Sequence, residues 1–220
     1  MKLRPEPLRI GVFGGAFDPP HNGHVMLAHA AISQLDLCKL HVVPTGIAWH
    51  KARELTPPVH RLAMTRLAFA NMPRVLIDRR EIERTGPTFT IDTLEGLTHD
   101  YPTAQLYLIM GADQLAAFQH WHRWQSILDL AIICVAERAN STRASGLLES
   151  FLEKNAQQGH PDRVVGIHMT ATSISATRVR QTVLEAATGC SDPLDLSRLV
   201  CPAVARYISD HALYQAVLPG

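Results

Sequence analysis

Residues Phe13 to Ala30 read FGGAFDPPHNGHVMLAHA. Within them His21 and His24 stand three positions apart, where an apolar pattern of helical spacing begins. Residues at that spacing share one face of a helical turn. Gly14 and Gly15 end the preceding apolar run, and glycine lets backbone amides approach a bulky anion closely. The start of a helix adds unpaired N–H groups and the positive end of its dipole. Two imidazoles on such a turn can donate hydrogen bonds to phosphate oxygens. The combination points to a site that holds a triphosphate while its charge shifts. A lone histidine here would read as a cap or a surface residue; two inside G-G-x-F-D-P-P-H-x-G-H argue for chemistry. A zinc site would need His29 or a remote residue as third ligand, and no H-E-x-x-H pattern occurs, so that reading ranks low.

Other signatures are missing. There is no G-x-x-x-x-G-K-[ST] phosphate loop. The first apolar run enters G-V-F-G-G, which is not the G-x-G-x-x-G dinucleotide fingerprint. There is no G-x-S-x-G nucleophile elbow.

The elements that must position these residues can be read from periodicity. Short continuous apolar runs predict strands at 9–13, 39–44, 74–77, 105–110, 131–135 and 164–169. Helical spacing predicts helices over 23–35, 59–70, 90–98, 114–118, 121–130, 142–157, 175–187 and 202–217, with Thr88 or Thr90 as the cap of the third. Strands that alternate with helices and are apolar on both faces predict an α/β fold. It is a Rossmann-like, doubly wound parallel sheet with helices on both faces, followed by a C-terminal helical segment. Residues 1–8 read as a flexible tail and 9–220 as a single domain. Ligands bind such sheets beyond the carboxyl ends of the strands. The unusual residues cluster there: Gly14 to His24, the aperiodic loop from Thr45 to Pro58 with His50 and Lys51, Gly111 to Asp113, and Ser175 to Arg180.

The 220 residues carry a formal charge of +1, with 21 Lys and Arg against 20 Asp and Glu. A nucleic-acid binder more often shows a basic excess, so no nucleic-acid partner is expected. The four cysteines show no C-x-x-C spacing, which predicts reduced thiols. The start of the chain lacks the pattern of a signal peptide or a membrane span. A cytoplasmic protein without a membrane partner is expected, as a monomer or homodimer.

These residues resemble a known family. Gly14 to Pro19 with His21-Asn22-Gly23-His24 is similar to the first motif of the nucleotidyltransferase superfamily, which shares H-x-G-H with class I aminoacyl-tRNA synthetases. Ile174 to Arg180, ISATRVR, resembles that superfamily's second motif, I-S-x-T-x-x-R. Two further stretches, GPTFTIDTL at 86–94 and GADQLAAFQHWHRW at 111–124, resemble the bacterial nicotinate-nucleotide adenylyltransferases. The resemblance runs from about Arg9 to Tyr214; the segment 140–162 has no placed counterpart.

The resemblance implies a direct transfer of AMP from ATP to nicotinate mononucleotide, giving deamido-NAD and pyrophosphate without a covalent intermediate. By matching position, His21, His24 and Arg180 would contact the ATP phosphates; Lys51 is open between reaching the same charge and being an ordinary solvated lysine. Gly14, Gly15, Ala16, Phe17, Gly23, Ile174 and Ser175 would line the ATP site. Gly111 and Asp113 would lie near the adenosine ribose. Thr177 is open between phosphate contact and helix packing, and Asp113 between ribose contact and helix cap. Thr88, Phe89 and Thr90 would meet the nicotinate carboxylate, with Trp121 stacked on the pyridine ring. Trp124 reads as core, and Arg79-Arg80 as a solvated pair. Mg²⁺ is expected on the ATP phosphates, with no metal held by the protein itself. Ala16 replaces a hydroxyl residue common in relatives, a loss of ~1 kcal/mol of hydrogen bonding. The alternatives are another phosphorylated acceptor, such as nicotinamide mononucleotide or phosphopantetheine, and a non-catalytic nucleotide binder.

Overall fold

The computed structural model describes residues 7–46, 54–138, 151, 163–170, 172–188 and 194–215. Six strands form one sheet: β1 (Arg9–Gly15), β2 (Lys39–Pro44), β3 (Val75–Ile77), β4 (Gln105–Gly111), β5 (Ala131–Arg138) and β6 (Val164–Met169). Their spatial order is β3-β2-β1-β4-β5-β6, and every pairing is parallel. The chain winds outward from β1 through β3, then returns to β4 on the other side of β1. The switch point therefore lies between β1 and β4, where a crevice opens beyond their carboxyl ends.

Side chains alternate faces along each strand. Ile10, Val12, Leu106, Leu108 and Met110 pack on one face with helix α4 (Thr90–Asp100), α5 (Ala112–Ala117) and α6 (Trp124–Leu130). Phe13, Leu40, Val42, Ile109 and Ile167 pack on the other with α1 (Asn22–Gln34). A third cluster joins α2 (Pro58–Ala68) to the C-terminal helices α7 (Ala176–Ala187), α8 (Leu194–Leu199) and α9 (Pro202–Asp210) through Met64, Val179, Val204 and Ile208. This cluster seats the C-terminal helices on α2.

The strands match expectation, with β1 and β5 extending further than their apolar runs. Pairing carries β1 through its glycines, with Gly14 beside Val43 and Gly15 beside Pro44. Several boundaries differ. The helix expected from residue 121 begins at Trp124, because Phe118–His120 forms a 3₁₀ turn and Arg123 is left-handed (φ 53°). The final helix stops at Asp210 rather than 217. Ala212 is left-handed (φ 48°) and the Leu213 N–H reaches the Ile208 carbonyl, a Schellman-type ending. The short helix α3 (Arg80–Glu83) and α8 were not anticipated. The cap of α4 is Phe89, neither Thr88 nor Thr90. The helix expected over 142–157 lies outside the described residues apart from Phe151, which is helical, buried and set edge-on to Phe118.

Arg80 also departs from expectation. Its guanidinium bonds Asp78 at 2.8 Å and Asp100 at 2.9 Å, and it is partly buried. Only Arg79 of that pair is a surface residue, held to Glu83 at 3.0 Å. Asp78 also meets His41 at 2.9 Å. Burial pushes the Asp78 carboxyl up, but the His41 hydrogen bond, the Arg80 backbone N–H and the Arg80 guanidinium outweigh it, leaving a pKa of about 2.

Candidate active site

The loop from Gly14 to His21 leaves β1 at the switch point and delivers both histidines to the start of α1. His21 is the N-cap of α1 in extended conformation, and its backbone N–H donates to His24 Nδ1 at 3.1 Å. That bond makes Nδ1 of His24 an acceptor, so a neutral His24 carries its proton on Nε2. The two rings stack with centroids 3.6 Å apart and planes 21° apart. His24 is braced from behind by the edge of Phe17, 5.0 Å away. Gly23 makes the stack possible: a Cβ there would lie 3.1 Å from His21 Nδ1. A Cβ on Gly14, in contrast, would meet nothing within 4 Å among the described residues. Packing within the described residues does not demand a glycine there.

Phe17 is fully buried among Phe13, Phe69 and His24, so only its backbone could face a nucleotide. Its φ is +46°, and the following Asp18-Pro19 peptide is cis. Ala16 presents its carbonyl to Arg61 Nη1 at 2.9 Å.

The second motif arrives on α7. Ser175 is its N-cap, accepting a hydrogen bond from the Arg178 N–H at 3.2 Å. Arg180 donates through Nη1 to the Asp18 carbonyl at 2.7 Å and through Nη2 to Thr177 Oγ1 at 3.2 Å. Thr177 thus orients Arg180. Ile174 is partly buried on the third core cluster. Neither α1 nor α7 carries an acidic residue in its first turn, so two positive helix ends stay available to an anion.

The ribose candidates sit at the end of β4. Gly111 is the N-cap of α5 and Asp113 lies inside its first turn, so Asp113 does not serve as the cap. Its carboxylate folds back toward Gly111, where an added Cβ would stand 2.5 Å from Oδ1. Gln114 Nε2 donates to its Oδ2 at 3.2 Å.

Where the acceptor was expected, a largely apolar cleft of about 390 Å³ is lined by Pro87, Phe89, His120 and His122. Its walls are chain neighbours of Thr88, Thr90 and Trp121. Phe89 lies 4.4 Å from the His122 ring. Trp121 is partly exposed and rests against Phe118 at 5.5 Å. Trp124 packs partly buried on the same cluster, as expected for a core residue. His120 and His122 were missed as wall residues; their alternation around Trp121 was the available signal.

Arg61 ties the two halves together. It is 1% exposed and spans three carbonyls: Thr56 at 2.9 Å, Ala16 at 2.9 Å and Gly46 at 3.3 Å. Gly46 in turn packs against the Glu81 backbone and the Thr88 methyl, within 3.0 Å of that methyl for an added Cβ. Burial draws the Arg61 pKa down, opposed by the nearby Asp18 carboxylate. Sequence inspection missed Arg61, because a lone arginine on an amphipathic helix looks like a surface charge. Lys51 and His50 lie outside the described residues. Among the described residues no cluster of three or more His, Cys, Asp or Glu could hold a metal ion, and no helix is long and apolar enough to cross a membrane.

Two helix ends, two stacked histidines and one tethered arginine at a parallel-sheet switch point form the layout of a nucleotide-handling protein. Comparison with known proteins sharpens this. Residues 12–182 match the family model described as Cytidylyltransferase-like. A protein of Albidiferax ferrireducens named "probable nicotinate-nucleotide adenylyltransferase" is 48% identical over 207 residues, covering 94% of this chain and 98% of its own length. One of Corynebacterium glutamicum with the same name is 36% identical, covering 94% and 88%. Among solved structures, Plasmodium falciparum nicotinic acid mononucleotide adenylyltransferase complexed with NaAD superposes with a TM-score of 0.74 at 21% identity, over 94% of this chain and 97% of that one. The chain belongs to the cytidylyltransferase-like family and, within it, to the nicotinate-nucleotide adenylyltransferases.

Proposed function

We propose that this chain transfers AMP from ATP to nicotinate mononucleotide, releasing pyrophosphate and forming deamido-NAD. The observation that carries the reading is the Arg180–Asp18 bond of 2.7 Å, which joins two motifs 162 positions apart. It supports placing a guanidinium beside the loop that bears His21 and His24.

The acceptor's phosphate is already ionised, so no general base is required. Its oxygen attacks the α-phosphorus in line, the bond from that phosphorus to the β-phosphate bridging oxygen breaks, and pyrophosphate leaves. Catalysis then reduces to positioning and charge neutralisation. His24 donates from Nε2, His21 lies stacked on it, and Arg180 and Lys51 add positive charge. Gly14, Gly15, Ala16, Phe17 and Gly23 supply backbone approach, and Ser175 and Ile174 set the start of α7. Gly111 and Asp113 address the ribose hydroxyls. Thr88, Phe89 and Thr90 address the nicotinate carboxylate, and Trp121 the pyridine ring. Mg²⁺ would enter with ATP as part of the substrate and offset phosphate charge; the site's histidines and cations suit the phosphates rather than the ion. A cytoplasmic location fits the free thiols of Cys38, Cys134 and Cys201.

The test is to supply ATP labelled at the α-phosphate together with nicotinate mononucleotide. Label must appear wholly in the dinucleotide product, with one pyrophosphate released per product. Label recovered on the protein, or in free phosphate, contradicts direct transfer.

A further inference from the structure

Tyr214 lies beyond the last helix and outside both motifs, yet its hydroxyl donates to Asp18 Oδ1 at 2.7 Å, across 196 positions of sequence. Asp18 is 2% exposed. Its other carboxylate oxygen accepts the Thr56 N–H at 3.2 Å, and its carbonyl accepts Arg180 Nη1. Thr56 is held in turn by Arg61. One buried residue therefore joins four segments: its carboxylate ties the β1–α1 loop to the end of the 45–58 loop and to the C-terminal segment, and its backbone carbonyl ties that loop to α7. The Tyr214 backbone is left-handed (φ 63°), an uncommon state for a bulky residue that persists only where its surroundings impose it. Burial and the adjacent Asp18 hold the phenol well above its ordinary pKa, so the hydroxyl stays protonated and donating.

We propose that Tyr214 is a positioning residue for nucleotidyl transfer: by fixing the Asp18 carboxylate it sets the geometry between Arg180 and the His21–His24 pair. The proposal rests on the ATP-phosphate roles given above for those three residues. A buried carboxylate short of one donor turns to seek another. The backbone carbonyl of the same residue aims Arg180, so a side chain released from Tyr214 lets the loop backbone at Asp18 shift and displaces a transition-state donor. Small misplacements of such groups cost large factors in rate.

The test uses the full-length protein and the variants Tyr214→Phe, Asp18→Asn and the double variant. Turnover is measured with Mg-ATP and nicotinate mononucleotide, Mg-ATP binding by calorimetry, and stability by thermal melting. Tyr214→Phe is expected to lower kcat at least tenfold, with the KM for the acceptor within twofold of wild type, at temperatures well below melting. The double variant is expected to lose no more than Asp18→Asn alone, because the two groups act as one. Wild-type kcat in a folded Tyr214→Phe protein overturns the proposal, as do losses that multiply independently. A purely structural tyrosine would lower melting and leave kcat unchanged. If wild type binds Mg-ATP but does not use this acceptor, the acceptor reading fails by itself. The positioning role is then decided by Mg-ATP affinity: Tyr214→Phe weakening it at least threefold supports the role, and equal affinity overturns it.

Discussion

His24 accepts a hydrogen bond at Nδ1 from the backbone N–H of His21, 3.1 Å away, while their rings stack at 3.6 Å. One histidine thereby sets the tautomer of the other, and the proton of a neutral His24 is left on the nitrogen away from its own helix turn. Replacing His24 by alanine removes that donor and the partner of the stack. Turnover is expected to fall ~10²-fold or more, in line with the loss of other charge-stabilising donors. Steady-state kinetics check this; near-normal kcat in a folded His24→Ala protein would remove His24 from the reaction.

Two glycines separate the site's chemistry from its scaffold. A Cβ on Gly23 would press on the His21 ring, a side chain that can turn, whereas a Cβ on Gly46 would collide with the Glu81 backbone carbonyl, which cannot. Gly23→Ala is expected to cost less than ~1.5 kcal/mol of stability yet reduce turnover sharply. Gly46→Ala is expected to cost ~3 kcal/mol or more. Denaturant unfolding of both variants beside their kinetics tests the contrast, and equal stabilities would refute it.

Much of this was legible in the sequence. Both motifs, the six strands and their convergence on one rim follow from apolar runs and from the placement of Gly14, His21, His24 and Arg180. What escaped depends on contacts that local patterns do not carry. Arg80 read as a solvated charge because one of its partners, Asp100, lies 20 positions away and the turn that brings Asp78 onto it leaves no pattern; Arg61 was passed over because its acceptors are backbone carbonyls. A cap role stayed open for Asp113 because a strand followed by G-A-D leaves the first helical residue undefined by one or two positions. The late start of α6 and the early end of α9 rest on left-handed Arg123 and Ala212, residue types that give no such warning. Nothing near Tyr214 indicates that it reaches Asp18.

The Asp78 cluster predicts an acid limit on stability. Its carboxyl titrates at about 2 when folded, against an ordinary 3.8. A depressed pKa contributes stability that is present above the unfolded value and is lost as pH falls through the folded one. The contribution, about 2 kcal/mol, should be complete at neutral pH and should fade between roughly pH 5 and pH 2. Asp78→Asn, which keeps the shape beside His41 and Arg80, is expected to be less stable at neutral pH and to show a flatter decline below pH 5. A variant with the wild-type stability and pH slope would show that the cluster contributes nothing.

The acceptor decides the account most directly. Pyrophosphate release from Mg-ATP should be measured with nicotinate mononucleotide, nicotinamide mononucleotide and phosphopantetheine in parallel. Strong release is expected with nicotinate mononucleotide and little with the other two, with a selective loss for that acceptor when Thr88 and Thr90 are replaced. Release favouring either other acceptor would keep the ATP half of the site and contradict the carboxylate-binding half. No release with any of the three, by protein that binds ATP, would contradict the transfer reaction itself.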